Sequence, residues 1–387
     1  MENKQRPIII CANTAWNLWN FRQNLIRQLV ASGYDVIAVA PADAFVRRLI
    51  ELGCRFVDIP MDNGGTNPLA DLILFWRFLR LFCVERPRVF LGYTVKPNVF
   101  GSLAAHACGV KVINNIAGLG SVFINPSPVT RIVELLYRLA LRRSALVFFQ
   151  NEDDRQQFID ARLVDATKTE CLPGSGIDLI AYPYVPPLPL AGRKFRFLVV
   201  ARMLWDKGIG EFVEASRLLQ AEFPNTEWCM LGASDVANPE SIPSALLDEW
   251  VASGVVRYLG VSDDVREELA KADCVVLPSY REGTPRALLE AASTGRLIIT
   301  TNAVGCREVV ENGVNGLLCE VRSSTSLADQ MRAVLAMDGA KLERMGLAGR
   351  AKMEREFDVT LVVKLYIKAI ARIELGLALT DKSYIDN

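Results

Sequence analysis

Histidine is almost absent from this sequence of 387 residues, which contains only His106. The nine cysteines are dispersed, and no two of them form a C-x-x-C pair. Structural zinc sites are built from clustered cysteine and histidine side chains, so a dedicated zinc site is not expected. An odd number of dispersed cysteines also argues against a disulfide framework. It predicts reduced thiols in the core of a cytosolic protein, and a structural role for His106.

Three further absences narrow the class of protein. No Asp-x-Asp motif occurs, so a diphosphate bridged by a metal ion lacks its obvious ligands. No run reaches the ~18–20 uncharged apolar residues of a membrane span. The charged N-terminus is followed by only a short apolar run, Ile8–Ala12, which does not resemble the core of a signal peptide. We therefore expect neither a transmembrane helix nor a secreted protein.

The formal net charge is zero, but the charges are unevenly distributed. Residues 1–150 contain 17 Lys and Arg against 9 Asp and Glu, a net charge of +8, and the remainder carries −8. A basic N-terminal part indicates that one domain meets an anionic surface.

The length predicts two domains, and the sequence pattern repeats once. Short β-branched apolar runs alternate with helical patterns from Ile8 to Ala161, and the alternation restarts at Phe195. This pattern predicts an α/β fold of two Rossmann-like doubly wound domains facing across a cleft. We assign residues 1–183, rejoined by a C-terminal helix within 359–387, to the first domain. Residues 190–358 form the second, after a proline-rich linker at 181–189.

The most informative stretch is Ser279–Ala292, which follows an apolar run typical of a buried strand. Thr284 suits a helix N-cap and Pro285 the first helical position, so a sharp loop leads into a helix. The N-terminus of that helix offers unpaired N–H groups to phosphate or hydroxyl oxygens. Glu282 in the loop and Glu290 on the helix could hold hydroxyls at the two ends of a nucleotide sugar, with the diphosphate between them.

A second candidate site lies where the first strand of the second domain ends. Arg202 and Lys207 flank the predicted start of a helix, which is already an anion site. A departing nucleoside diphosphate gains negative charge as the sugar bond breaks. Two fixed cations together with N–H groups would stabilise that charge without a metal ion.

Weaker signals occur in the first domain. The segment 118–123 is glycine-rich but lacks the third glycine of a dinucleotide fingerprint, so we interpret it as a cleft loop rather than an NAD site. Residues 69–82 form a very apolar helix, and the helix 130–143 carries four arginines. Amphipathic helices with basic flanks can lie on an anionic membrane, although burial inside the domain explains the first helix equally well.

At these motifs the chain resembles the retaining glycosyltransferases of family 4, which have the GT-B fold. The E-x7-E element from Glu282 to Glu290 resembles the donor-site signature of that family, and Arg202 with Lys207-Gly208 resembles its diphosphate-binding pair. Residues 12–22, 92–101 and 201–212 are similar to bacterial transferases that extend undecaprenyl-diphosphate-linked sugars. The nearest types transfer N-acetylgalactosamine or galactose in protein-glycan, O-antigen or capsule pathways.

The resemblance implies specific roles. Glu282 would hold hydroxyls of the donor hexose and Glu290 the ribose, while Arg202 and Lys207 would bind the diphosphate of a UDP-sugar. The donor site would be completed by Ser279, Gly283, Thr284 and Pro285, and the acceptor or phosphate loops by Thr14, Ala15, Trp16, Lys96 and Gly118. The chain departs from the family in two places, because Val95 stands where many members have a histidine and the Trp16 loop lacks paired glycines.

The resemblance thus implies a retaining, metal-independent hexosyltransferase on the cytoplasmic face of the plasma membrane. Its expected partners are a UDP-sugar donor, a lipid-diphosphate-linked sugar acceptor and an anionic membrane surface, with neither a cofactor nor nucleic acid. Two alternatives remain open from the sequence. A UDP-sugar 2-epimerase shares the two-domain architecture, and a non-catalytic nucleotide-sugar-binding partner of a membrane assembly would carry similar binding residues.

Overall fold

The computed structural model describes residues 6–62, 67–119, 128–234 and 238–376. They form two compact units, each built on a parallel sheet. The first unit contains the chain up to Ser175 together with the residues from Thr360, and the second is Gly176–Val359. Two doubly wound α/β domains were predicted, and the two sheets confirm this fold class.

The first unit has a sheet in which the described strands follow the order β3-β2-β1-β4-β5-β6-β7, all parallel. Its strands are β1 (Ile8–Cys11), β2 (Val36–Ala40), β3 (Arg55–Asp58), β4 (Val89–Tyr93), β5 (Lys111–Ile116), β6 (Leu146–Phe149) and β7 (Thr169–Cys171). Its α-helices before the crossover are α1 (Ala15–Ala31), α2 (Val46–Glu51), α3 (Pro68–Glu85), α4 (Ser102–Ala107), α5 (Pro128–Leu141) and α6 (Glu152–Asp160). A π-helical turn, Pro97–Gly101, leads into α4.

The second unit repeats this arrangement with the strand order β10-β9-β8-β11-β12-β13. Its strands are β8 (Phe195–Val200), β9 (Thr226–Leu231), β10 (Arg257–Tyr258), β11 (Cys274–Leu277), β12 (Leu297–Thr301) and β13 (Gly316–Cys319). Its α-helices are α7 (Ile209–Gln220), α8 (Ser244–Ala252), α9 (Arg266–Lys271), α10 (Arg286–Ser293), α11 (Ser324–Leu335) and α12 (Gly339–Lys352). The central strands are buried along their whole length, as parallel strands covered on both faces must be.

The strand order places a switch point in each sheet. In the first sheet, β2 and β3 lie on one side of β1, and β4 and the later strands lie on its other side. In the second sheet, β9 and β10 lie on one side of β8, and β11 and the later strands lie on its other side. Ligands of doubly wound folds bind outside the carboxyl ends of the strands at such a point. The predicted site loops of the second unit follow β8 and β11, so they start at its switch point.

The last helix, α13 (Val359–Leu375), returns the chain to the first unit. Its Tyr366 is buried, accepts a hydrogen bond from Asn115 Nδ2 at 3.0 Å, and lies with its ring centroid 4.9 Å from that of Phe148. This helix therefore completes the core of the first unit, although it is separated from the rest of that unit by the whole second unit in sequence.

The proline-rich segment 181–189 is not the linker that its composition predicts. The Val185 N–H donates to Thr294 O at 3.2 Å, and the Arg296 guanidinium binds Val185 O. Tyr184 packs on Gly295, whose missing side chain leaves room for the ring. The segment is therefore held by the second unit, and the chain crosses between units at Ser175–Gly176 and at Val359–Thr360.

The single histidine has the structural role predicted for it, since its Nε2 lies 2.8 Å from Ala140 O. The prediction for the cysteines is only partly right. Six of the nine are buried, but Cys83 and Cys171 are exposed and Cys108 is half-buried. Within the described residues, no helix has the combined length and hydropathy needed to span a membrane.

Gly208 permits a close approach between two loops, and its substitution should be costly. Its φ is +71°, and a Cβ there would lie 2.1 Å from Pro278 O. We expect Gly208→Ala to reduce the free energy of unfolding by about 3 kcal/mol, from backbone strain plus overpacking. The control is Gly254→Ala, because Gly254 has the same φ of +71° but open space around it. It should cost about 1 kcal/mol, and equal shifts of the two denaturant midpoints would contradict the prediction.

Candidate functional site

Two loops meet at the carboxyl ends of β8 and β11. After β8 a 3-10 turn, Trp205–Lys207, ends at Gly208, and α7 begins. The loop after β11 is attached to this turn by backbone contacts, since the Tyr280 N–H donates to Asp206 O at 2.9 Å. The phenol of Tyr280 donates to Glu211 Oε1 at 2.7 Å. Tyr280 therefore ties the second loop to both sides of Lys207.

The centre of the site is an ion pair between the two loops. Lys207 Nζ lies 2.6 Å from Glu282 Oε1, and both side chains are mostly buried. Ser279 Oγ lies 2.8 Å from the same carboxylate oxygen and 3.1 Å from Asp206 O. Glu282 Oε1 is thus satisfied by the protein. The other oxygen, Oε2, makes no hydrogen bond to a described residue and is available to a hydroxyl donor.

Lys207 keeps its positive charge in this setting. Burial opposes the charge, but the attraction and hydrogen bond of Glu282, helped by Asp206, outweigh it and raise the pKa of Lys207 above its usual value. Arg202 is near enough to oppose this rise. Arg202 itself is exposed and forms no hydrogen bond or ion pair with a described side chain. The site therefore presents one fixed ammonium and one free guanidinium.

Glu290 lies on α10 and is 7% exposed. The partner that a buried carboxylate requires is Arg286, one turn earlier on the same helix, whose Nε lies 2.8 Å from Glu290 Oε1. The guanidinium of Arg286 is also 6.0 Å from the ring centre of Tyr182. Burial raises the pKa of the Tyr182 phenol, and the Glu290 charge raises it further. Glu290 thus belongs to a small cluster that holds its carboxylate in place.

The remaining donor-site residues connect these two parts. Gly283, Thr284 and Pro285 run from Glu282 into α10, which begins at Arg286. Pro285 occupies the N-cap position, so the prediction that Thr284 caps the helix and Pro285 starts it is one residue early. The Pro285 N-cap provides no side-chain cap, and the Leu288 N–H donates to Pro285 O at 3.0 Å within the first turn.

Several residues that shape this site had no recognisable signal in the sequence. The Glu282 N–H donates to Val304 O at 2.9 Å, and a Cβ on Gly305 would lie 2.3 Å from Glu282 O. The loop after β12 therefore supports Glu282 directly. Asp206 contributes its carbonyl to the Tyr280 and Ser279 contacts. Of these features, only the left-handed backbone conformation at Gly305, with φ +84°, could have been predicted, because a glycine in a turn often adopts it.

The predicted acceptor residues all follow β1, β4 or β5 of the first unit. Thr14 caps α1 by accepting the Asn17 N–H at 3.0 Å, and Ala15 is buried as the first helical residue. Trp16 is 46% exposed, while its N–H donates to Asp43 Oδ2 at 2.8 Å. These residues lie at the carboxyl edge of the first sheet, at its switch point.

Lys96 and Gly118 complete that edge. Lys96 is not a free cation, because its Nζ lies 2.7 Å from Asp71 Oδ1 and both side chains are largely buried. Gly118 has a φ of +126°, which requires glycine, and Gly120 to Phe123 of the predicted loop lie outside the described residues. Among the described residues, no three His, Cys, Asp or Glu side chains gather as potential metal ligands.

Similarity to known proteins covers both units. A family model described as "Glycosyl transferase 4-like domain" matches residues 18–174, and one described as "Glycosyl transferases group 1" matches residues 194–337. The chain is 26% identical to the N,N'-diacetylbacillosaminyl-diphospho-undecaprenol alpha-1,3-N-acetylgalactosaminyltransferase of Campylobacter jejuni. This alignment covers 92% of the chain and 96% of the relative.

Another relative and a solved structure agree with these matches. The chain is 24% identical to the UDP-Gal:alpha-D-GlcNAc-diphosphoundecaprenol alpha-1,3-galactosyltransferase of Escherichia coli, over 79% of the chain and 78% of the relative. The crystal structure of HepE from Anabaena in complex with UDP-glucose superposes with a TM-score of 0.77 at 19% identity, covering 96% of this chain and all of HepE. At that identity the superposition supports the fold alone.

Proposed function

The chain belongs to the group 1 glycosyltransferases of family 4, with the GT-B fold, and we propose that it transfers a hexose from a UDP-sugar to an undecaprenyl-diphosphate-linked sugar. The observation that carries the proposal is the Lys207–Glu282 pair at the switch point of the second unit. This position joins a buried cation, suited to a diphosphate, with a carboxylate whose second oxygen is available to a sugar hydroxyl. The two relatives named above, whose names specify lipid-diphosphate-linked acceptors, support the acceptor class.

The donor would occupy the second unit. Lys207 has two further N–H donors beyond the one used on Glu282, and with Arg202 it would bind the diphosphate. Glu282 Oε2 would accept a hydroxyl of the hexose, and Glu290, held by Arg286, would accept the ribose hydroxyls. The N-terminus of α10 would add the positive end of its helix dipole between these two carboxylates.

We propose that transfer retains the anomeric configuration. The bond between the anomeric carbon and the diphosphate breaks while a hydroxyl of the acceptor sugar forms the new bond on the same face. Lys207 and Arg202 would stabilise the charge that develops on the departing UDP, in a preorganised site. The names of both relatives specify alpha-1,3 products, which would be retention if the donor is an alpha-linked UDP-sugar.

The two cations lead to a prediction about divalent metals. Because Lys207 and Arg202 supply the positive charge that a bridging ion provides elsewhere, turnover should not require one. We expect kcat to change less than about twofold when the enzyme is assayed with excess EDTA instead of Mg²⁺. A loss that added Mg²⁺ or Mn²⁺ restores would show that the diphosphate is bound through a metal ion.

The first unit would bind the lipid-linked acceptor at an anionic membrane surface on the cytoplasmic side. The exposed face of α3 carries Leu72, Ile73 and Trp76, and the exposed face of α5 carries Ile132 and Leu135. Both helices pack against the π-helical turn Pro97–Gly101. Large apolar side chains exposed on neighbouring helices of a basic domain favour an interfacial position.

A vesicle-binding experiment tests this surface. The double substitution Leu72→Ser with Trp76→Ser should weaken binding to anionic liposomes on the order of tenfold, because both exposed apolar side chains are lost. Leu218→Ser is the matched control, since Leu218 is 55% exposed but lies on α7 of the second unit. Wild-type binding should fall as salt is added. Equal binding to neutral vesicles, or no binding at all, would exclude an anionic surface as the partner.

Transfer itself is tested with a panel of UDP-hexoses and a lipid-diphosphate-linked acceptor. The proposal predicts a lengthened lipid-linked glycan and free UDP, with the new bond in the anomeric configuration of the donor by NMR. Formation of an epimeric UDP-sugar without acceptor would instead identify a 2-epimerase. Binding of UDP by calorimetry with no transfer to any lipid-linked acceptor would indicate a non-catalytic binding partner.

A further inference from the structure

Two cysteine thiols lie in contact on the first unit. Cys83 is in the last turn of α3, and Cys108 is the C-cap residue of α4. Their Sγ atoms are 3.7 Å apart, and α3 and α4 pack against each other. A disulfide requires a separation of about 2.05 Å, so the two sulfur atoms need to approach by roughly 1.6 Å. Both residues are at helix ends, and Gly109 after Cys108 has open space around it.

We infer that Cys83 and Cys108 form a redox modification site, which closes to an intramolecular disulfide when the protein meets a peroxide. Cys83 is exposed, whereas Cys108 is half-buried. Burial, followed by the contact with Cys83, raises the pKa of Cys108 to about 11, so Cys108 is protonated at neutral pH. Exposure therefore makes Cys83 the thiol that the peroxide oxidises first.

The chemistry is complete with hydrogen peroxide as the oxidant. The sulfur of Cys83 is oxidised to a sulfenic acid, and the peroxide is reduced to water. The sulfur of Cys108 then attacks the sulfenic sulfur, and the displaced hydroxide takes the Cys108 proton to form a second water. Reduction by a dithiol restores both thiols. The cross-link would join the end of α3 to α4.

The other cysteines provide the contrast. Cys171 is also exposed, but its Sγ lies 3.3 Å from Glu152 Oε2 rather than beside a second thiol. The six remaining cysteines are buried. Accessibility and proximity to a second thiol thus combine at Cys83 and Cys108. The inference concerns only this pair and is independent of the proposed sugar transfer.

The test oxidises the folded, fully reduced chain with equimolar hydrogen peroxide, then alkylates it under denaturing conditions and maps its peptides by mass spectrometry. The expected product joins the peptides of Cys83 and Cys108, with the mass of two hydrogen atoms lost, and dithiothreitol reverses it. Two of the nine thiols should escape alkylation. Cys83→Ser and Cys108→Ser should each abolish the product, and Cys171→Ser should leave its yield unchanged.

Three results would overturn the inference. The first is oxidation of Cys83 to sulfinic or sulfonic acid with no link to Cys108. The second is a covalent dimer on a non-reducing gel, which would show that Cys83 reacts between molecules. The third is a cross-linked product that persists in Cys108→Ser, because the second sulfur would then belong to another cysteine.

Discussion

Replacing Lys207 by alanine should lower kcat on the order of 10²-fold or more, because the departing UDP loses its buried cation. The ammonium is fixed between two loops by Glu282 at 2.6 Å, and its raised pKa keeps it charged through the neutral range. The substitution also leaves Glu282 without its cation. Transfer from a saturating UDP-hexose to a lipid-linked acceptor gives the measurement, with circular dichroism as the check on folding.

Lys271→Ala is the matched control for this prediction. Lys271 lies on α9 of the same unit and also pairs with glutamates, Glu267 and Glu268, but its side chain is 41% exposed. Its loss should change kcat less than about twofold, since surface ion pairs contribute little. A folded Lys207→Ala enzyme with near-wild-type turnover would remove Lys207 from the donor site.

Glu290→Ala should lower turnover by a similar amount, on the order of 10²-fold or more. The carboxylate is 7% exposed and is held by Arg286 at 2.8 Å, so its position for the ribose hydroxyls is fixed before the donor arrives. Removing the Glu290 carboxylate takes away the group that accepts the ribose hydroxyls, and it leaves the Arg286 guanidinium without its partner. Initial rates over a range of UDP-hexose concentrations, for wild type and variant, provide kcat and KM separately.

Glu354→Ala is the control that separates the loss of the ribose-binding carboxylate from the loss of a helical ion pair. Glu354 forms the same i,i+4 pair with Arg350, at 2.7 Å, but its side chain is 53% exposed. Its substitution should leave turnover within about twofold of wild type, because Glu354 is exposed and Arg350 keeps its hydrogen bonds to Tyr182 O and Ser293 O. If both variants lost activity equally, the effect of Glu290→Ala would be structural rather than catalytic.

The sequence was most informative where short-range patterns decide the structure. The apolar runs of β8 and β11, buried in the second sheet, set the strands, and the breaks after them set the loops that carry Lys207 and Glu282. Glu290 stands among apolar residues in the sequence, so its carboxylate needs a partner. Arg286, four residues earlier, could have been named from helical spacing alone.

Three features could not be predicted from the sequence, because they depend on contacts between residues that are far apart in the chain. The segment 181–189 has the composition of a linker, but Arg296, more than a hundred residues away, holds it to the second unit. Lys96 was predicted to belong to the acceptor or phosphate loops, and its ion pair with Asp71 on α3 had no signal in the sequence. The proximity of Cys83 to Cys108 likewise depends on how α3 packs on α4. Each of these results requires tertiary packing, which local patterns do not determine.

A crystal structure of the protein with a bound UDP-hexose would show directly which residues hold the donor. We expect diphosphate oxygens within hydrogen-bonding distance of Lys207 Nζ and the Arg202 guanidinium, with hexose hydroxyls on Glu282 and ribose hydroxyls on Glu290. A diphosphate bound elsewhere, in contact with neither cation, would contradict this expectation.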